Sequence, residues 1–506
     1  MRPRLICGRL QAYGLCVRHT RHQSSCSRWS QKLSISASPN ASKWKVLNEI
    51  KKYALRSEKD YPRNPDTAYG TAILASREFT KWLDDEKFMS NVLATLFMKG
   101  ERSRSYHQDL DVLTGVVDAL SPQSLSVQPR AGFSIILGPS ESILPDLWDK
   151  EGFEGANTDS TSSVSFVANP LAGSTNALEF TLPLANTLFQ NGRRSTLHAC
   201  KWNRDGEGMM TITLRAPKTI QQIASDNSSA DHTSSMIPLM PLTPPRKIVA
   251  GLGNIARQVE VDGHPTPASK ELEEIVPRIF ERRAQRDPTF VPQSIGVWCW
   301  VIPPHVMQSR NLAGLQLFSA DSTEAETDTA WKSMDLFSEL LSSGCRLHKI
   351  LSGGGGWGAK QGLLSLDPET SFSLPGQDAD YEMFIKSFEE RNSASPTNGI
   401  VTPGSSLLFC AEPHWTDAEA KTGPLLLPAH GISLGVTPSL DQTPQADDIT
   451  DTVDVSDDHF GASSANGLFI RGISDLGGIG VKDEESHGSM RRIMTKIDAP
   501  NAQFCI

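Results

Sequence analysis

Four consecutive glycines, Gly353 to Gly356, followed by Trp357, Gly358 and Lys360, form the stretch of this 506-residue chain best suited to chemistry. Backbone N–H groups with no side chains around them can surround an anion, and a lysine beside them can neutralise it. The spacing departs from a nucleotide-triphosphate loop. After Gly353 and Gly358 the lysine comes one residue late, and Gln361 stands where a magnesium-binding hydroxyl is needed. The element ahead of the loop also reads as helical, whereas a phosphate loop follows a strand. The competing reading is a glycine turn that lets Trp357 pack tightly. Four glycines in a row lose much backbone entropy on folding, so an ordered loop demands a compensating contact. We take Gly353, Gly354, Gly355, Gly356, Trp357, Gly358 and Lys360 as candidate ligand-binding residues.

Three other places carry weaker chemistry. His107-Gln108-Asp109-Leu110-Asp111 has the H-x-x-x-D spacing of CoA-dependent acyltransferases, in which the histidine is the general base, and Gly356-Trp357-Gly358 lies where those enzymes carry a late Gly-Trp-Gly element. His107 and Asp111 are therefore candidate catalytic residues, although the second histidine and the glycine of that motif are missing. Gly251-Leu252-Gly253-Asn254-Ile255-Ala256 follows a short apolar run, as a dinucleotide fingerprint does, but Pro267 starts a new element where the second strand should lie. Arg193 and Arg194, after Asn191-Gly192, could hold a phosphate or carboxylate; the alternative is a solvated turn. No nucleophile elbow, His-Glu-x-x-His or paired-carboxylate motif sits on a legible scaffold.

The elements that must position these residues are read from periodicity. Helices are expected over 76–83, 85–97, 109–120, 245–260, 267–285 and 323–343, the last with Trp331, Met334, Leu336, Phe337, Leu340 and Leu341 on one stripe. Strands are expected over 132–137, 164–168, 197–202, 209–215 and 294–302, with a hairpin turn at Asn191-Gly192. The fold class is mixed α+β, or α/β with antiparallel parts. Two globular domains, 46–224 and 246–506, are expected on either side of a Pro-rich connection over 225–245. Polar insertions over 390–404 and 437–466 read as disordered.

Composition adds an address. Residues 1–48 hold nine basic and no acidic side chains, with eight serines between Ser24 and Ser42. Such a start is the composition of a mitochondrial transit peptide, which we place over 1–45. The remainder holds 40 basic against 58 acidic groups, a net charge of −18, which disfavours direct nucleic-acid binding. No run approaches the roughly 18 to 20 apolar residues of a transmembrane helix. The eight cysteines include no C-x-x-C pair, so neither a metal site nor an iron–sulfur cluster is expected, and no cofactor is assigned.

The stretches Leu182 to Thr196, Pro241 to Ile255 and Leu351 to Glu369 resemble a group of fungal mitochondrial proteins, a resemblance that supplies no activity. Thr71 to Leu120, with Leu188-Phe189 and Asn191-Gly192-Arg193, is similar in pattern to FIST ligand-sensing domains; that resemblance implies a sensor or adaptor role and carries no ligand residues. The expectation is a soluble matrix protein, or one peripheral to the inner membrane. It would act by binding protein partners, within a large assembly, in support of mitochondrial gene expression or respiratory-complex biogenesis. The alternative is a small-molecule or CoA-dependent enzyme built on the Gly353–Gly358 loop.

Overall fold

The computed structural model of the chain describes residues 30–56, 67–97, 109–122, 130–150, 153, 161–171, 177–204, 209–225, 233–287, 290–292, 294–310, 312, 314–353, 362–372, 399–415, 431–438, 452–473 and 494–506. The first twelve strands are β1 (Gln31–Ala37), β2 (Tyr69–Ser76), β3 (Leu110–Val117), β4 (Gly132–Pro139), β5 (Ser163–Ala168), β6 (Ala177–Pro183), β7 (Leu197–Arg204), β8 (Met210–Pro217), β9 (Ile220–Gln222), β10 (Ser234–Met236), β11 (Met240–Pro241) and β12 (Arg246–Leu252). Then come β13 (Ile255–Val261), β14 (His264–Pro267), β15 (Val297–Ile302), β16 (Arg346–Gly353), β17 (Leu364–Leu366), β18 (Ser406–Ala411), β19 (Gly431–Val436), β20 (Val453–Asp457), β21 (His459–Ser464), β22 (Leu468–Ile473), β23 (Met494–Ile497) and β24 (Gln503–Cys505). The helices are α1 (Lys43–Arg56), α2 (Thr80–Leu83), α3 (Glu86–Phe97), α4 (Ser140–Ile143), α5 (Leu188–Asn191), α6 (Lys270–Arg286), α7 (Pro304–Ser309), α8 (Glu326–Lys332) and α9 (Met334–Ser342). The fold is mixed α+β.

A seven-stranded sheet, ordered β20-β1-β4-β2-β3-β7-β8, is antiparallel except for the β2–β3 pair. Its strands alternate between two cores. Val112 and Val116 join Ile73, Phe133 and Ile135 beneath α1 and α3, while Leu113 and Val117 join Leu74 and Ile136 in a central core. That central core also takes Phe166 and Phe180 of a five-stranded sheet (β23-β22-β6-β5-β9) and Leu434, Phe460 and Phe504 of a four-stranded sheet (β10-β24-β19-β21). Residues of both expected units, 46–224 and 246–506, contribute to it, and β6 of the first pairs with β22 of the second.

The fourth sheet closes on itself. β18, β12, β13, β17, β16 and β15 pair in turn and β15 pairs back with β18, forming a ring of six strands. Side chains alternate across its wall, as the two-residue strand period requires. Cys299 and Val301 of β15 join one cluster with Ile248, Val259 and Leu272 of α6, while Trp298, Trp300 and Ile302 face the central core.

Several expected elements come out differently, each for a physical reason. Asp109 to Leu120 was expected as a helix; Leu110–Val117 is a strand buried on both faces, and such a continuous apolar run also satisfies helical spacing. The segment 245–260 is the β12–β13 hairpin, turning at Gly253 (φ 62°), so the glycine fingerprint is a turn with no helix behind it. Within the 225–245 connection residues 236–243 are buried: Ile237, Leu239 and Met240 are at most 1% exposed. Within the polar insertion 437–466, β20 and β21 are ordered, and Phe460 and Ala462 are fully buried. In the presequence range, β1 places Leu33 and Ile35 at 0% exposure. The 323–343 helix is two helices meeting at Ser333.

Candidate functional site

The C-terminal ends of the parallel pair β19–β21 and the residues that follow β3 meet in a small cleft. It opens to solvent and is narrow, with about 30 Å³ wide enough for water. Sheet-to-sheet approach here depends on small residues. A Cβ on Gly461 would lie 2.0 Å from Ser121 O, and one on Gly435 would lie 2.8 Å from Ser463 Oγ. The floor is a network of neutral polar groups. Gln503 Nε2 donates to Ser121 Oγ at 2.7 Å, Ser433 Oγ at 2.8 Å and Pro122 O at 3.0 Å, and the two serine hydroxyls are 2.8 Å apart. Thr437 is 8% exposed, and its Oγ1 has no hydrogen-bond partner among the described residues. A buried hydroxyl left unpaired costs roughly 1–3 kcal/mol, and this one stands on the cleft wall, where a water or a ligand atom can meet it.

Trp331 of α8 and Trp415 stand edge to face at the mouth, 5.3 Å between ring centroids. Their positions are fixed from behind. Glu326 of α8 is ion-paired with Arg283 of α6 (2.8 Å), both nearly excluded from water, and it accepts His414 N at 2.9 Å, the residue before Trp415. On the far side, the carboxylate of Asp118 accepts Ala465 N at 2.7 Å and pairs with Arg77, tying the end of β21 to β3. Burial nevertheless raises the Asp118 pKa above the ordinary carboxylate value, against the pull of Ala465 N and Arg77.

The sequence reading passed over Gly431-Ile432-Ser433-Leu434-Gly435, which has the Gly-x-Ser-x-Gly spacing of a hydrolase nucleophile. That nucleophile needs a strand-to-helix turn that exposes the serine. Here the whole pentapeptide lies inside β19, paired with β24 and β21, and Ser433 is 2% exposed against Ser121 and Gln503. The motif marks the small-residue face of a strand pressed against another sheet. The partners Ser121 and Gln503 lie 382 residues apart and carry no local signal.

Of the candidates read from sequence, Gly353, Asp111 and the pair Arg193 and Arg194 lie among the described residues, on separate elements. Gly353 ends β16, and Gly354, Gly355, Gly356, Trp357, Gly358 and Lys360 lie outside the described residues. The flanking strands are an antiparallel pair, with Gly353 opposite Leu364. The element before the glycines is thus a strand and not a helix, but the loop leads to a second strand, so the strand–loop–helix context of a phosphate loop is missing. His107 also lies outside the described residues. Asp111 is held structurally: its carboxylate accepts Ser140 Oγ at 2.7 Å and Trp148 Nε1 at 2.8 Å. Arg193 and Arg194 follow α5, with Gly192 (φ 74°) as its left-handed cap, in place of the expected hairpin turn.

Other titratable groups are buried and discharged. Burial, with Arg215 and Arg193 nearby, pushes His198 down to about 4, and burial likewise lowers His348 to about 4. Cys200 and Cys505 are pushed up to about 11 and Cys345 to about 12 by desolvation, which suits packing and not nucleophilic attack. Among the described residues no group of three His, Cys, Asp or Glu side chains could hold a metal ion. Compared with known proteins, the chain matches no family model, no curated protein and no solved structure.

Proposed function

We propose that the chain acts by binding, with the cleft between β3, β19 and β21 taking a small, neutral, polar ligand. The observation that carries this reading is the cleft's chemistry. Its polar groups are hydroxyls and amides from Ser121, Ser463, Thr437, Asn501 and Gln503, and none of its lining side chains can exchange a proton near neutral pH. Recognition by hydrogen bonds with an aromatic pair at the entrance is the pattern of a binding site. Because the cleft is narrow, a ligand larger than water must part Trp331 from Trp415, which gives binding an optical signal. A panel of polyols, amides, sugars and nucleosides, tested by tryptophan emission and thermal unfolding, checks the reading. A compound that changes both supports it; silence across the panel counts against it.

The setting we propose is the mitochondrial matrix or the matrix face of the inner membrane, in support of gene expression or respiratory-complex biogenesis through protein partners. Its support is the acid-free, Arg- and Ser-rich start, together with the acidic remainder. Sedimentation of the native tagged protein from lysed mitochondria, with and without ribonuclease, tests it. Co-migration with a large assembly supports the adaptor role, whereas a free monomer or dimer removes it. The acyltransferase alternative loses support from Asp111, whose oxygens are already committed to Ser140 and Trp148.

A further inference from the structure

We propose that the turn from Leu188 to Arg194 is a docking tip for an anionic phospholipid surface. Phe189 is 94% exposed and Leu188 is 48% exposed. A phenylalanine gains more than almost any side chain by leaving water, so holding one out in solvent needs a reason.

The tip is built to hold it there. Thr187 Oγ1 donates to Arg193 O at 2.9 Å, Asn191 Nδ2 donates to Thr196 Oγ1 at 3.0 Å, and Arg193 N donates to Asn191 Oδ1 at 3.2 Å. Leu188 N is met by Asn186 Oδ1 at 3.0 Å, and Gly192 takes the left-handed conformation that closes the turn. The backbone that carries Phe189 is thus closed into a turn before any contact is made.

Charge identifies what it meets. The turn itself carries Arg193 and Arg194 and no acidic residue, within a molecule of net charge −9. Beside Phe189 lies a recess lined by Gln190, Thr80, Lys81 and Glu78, together with Arg77, whose charge is already paired with Asp118. An apolar wedge with Arg193, Arg194 and Lys81 near it fits a membrane interface: the ring enters the headgroup–acyl boundary while guanidinium and ammonium groups hold lipid phosphates. A protein partner would need a broader patch, since stable interfaces bury on the order of 1,000 Å² or more and this tip offers two apolar side chains. Among the described residues no helix is long and apolar enough to cross a membrane, so this contact would be peripheral.

Flotation of the full chain with vesicles of phosphatidylcholine alone, or phosphatidylcholine mixed with phosphatidylglycerol, tests the proposal. The wild type should float with the mixed vesicles only, and less so as salt is raised. Phe189→Ser should weaken flotation about tenfold, from loss of the buried ring. Arg193→Gln with Arg194→Gln should weaken it by about fivefold per charge removed. Both variants change side chains at the surface, and unchanged denaturation curves establish that they fold. A wild type that ignores both vesicles, or variants that float as well as it does, would overturn the proposal.

Discussion

At the scale of single residues, buried histidines set the chain's response to acid. His348 lies opposite Cys299 in the ring of strands, and its Nδ1 sits 2.8 Å from Asp367 O, a carbonyl that can only accept. The proton is therefore on Nδ1, and Nε2 is a buried lone pair without a partner among the described residues. Protonating it would leave a charge in an apolar wall, so its folded pKa sits at about 4, below the ordinary 6.5. His198 behaves alike. The unfolded chain takes up these protons between pH 6.5 and 4 while the folded chain does not. Stability is thus full above pH 6.5 and falls as pH drops towards 4, by at most about 3 kcal/mol per histidine at 1.36 kcal/mol per unit. His348→Asn, which keeps a donor towards Asp367 O, should flatten roughly half of that slope in denaturant titrations at stepped pH. An unchanged slope would show that His348 is charged in the folded state.

At the scale of elements, the cleft exists because two sheets touch through glycine and serine. Gly461→Ala forces a methyl against Ser121 O and should cost about 2–4 kcal/mol in denaturant unfolding, since overpacking a fitted contact is strongly unfavourable. A cost below 0.5 kcal/mol would mean that the sheets separate easily. This packing also decides what the sequence could reveal. α3, α6, β4, β5, β7 and β15 were legible because each presents one apolar stripe or one bounded apolar run. β3 was misread because both of its faces are buried, which erases the two-residue alternation. The β12–β13 hairpin was misread because its Gly-x-Gly turn imitates a phosphate-binding turn when the pairing partner is unknown. β10, β11 and β21 read as loose connections in the sequence because Ser, Asp and Pro dominate there; tertiary contacts with β24, β18 and β19 order them. The candidate site was almost illegible: its hydroxyls converge from β3, β19, β21 and β24, and none has a meaningful neighbour in sequence.

At the scale of the whole molecule, chain ends and middle are interwoven. β1 pairs with β20, β6 pairs with β22, and residues from Ala72 to Ile506 fill one core. The cleft sits where these distant segments meet, so a ligand there would brace contacts that no single segment makes alone. The most direct measurement of the central claim compares wild type with Thr437→Val in ligand-dependent unfolding. The substitution keeps the shape of the side chain and removes a buried hydroxyl without a partner among the described residues. The empty protein should keep its stability or gain about 1 kcal/mol. The shift produced by a bound polar ligand should shrink by a corresponding factor of about ten in affinity, at 1.4 kcal/mol per decade. A ligand that stabilises both proteins equally, or a Thr437→Val chain that unfolds without any ligand, would contradict the assignment of this cleft as the binding site.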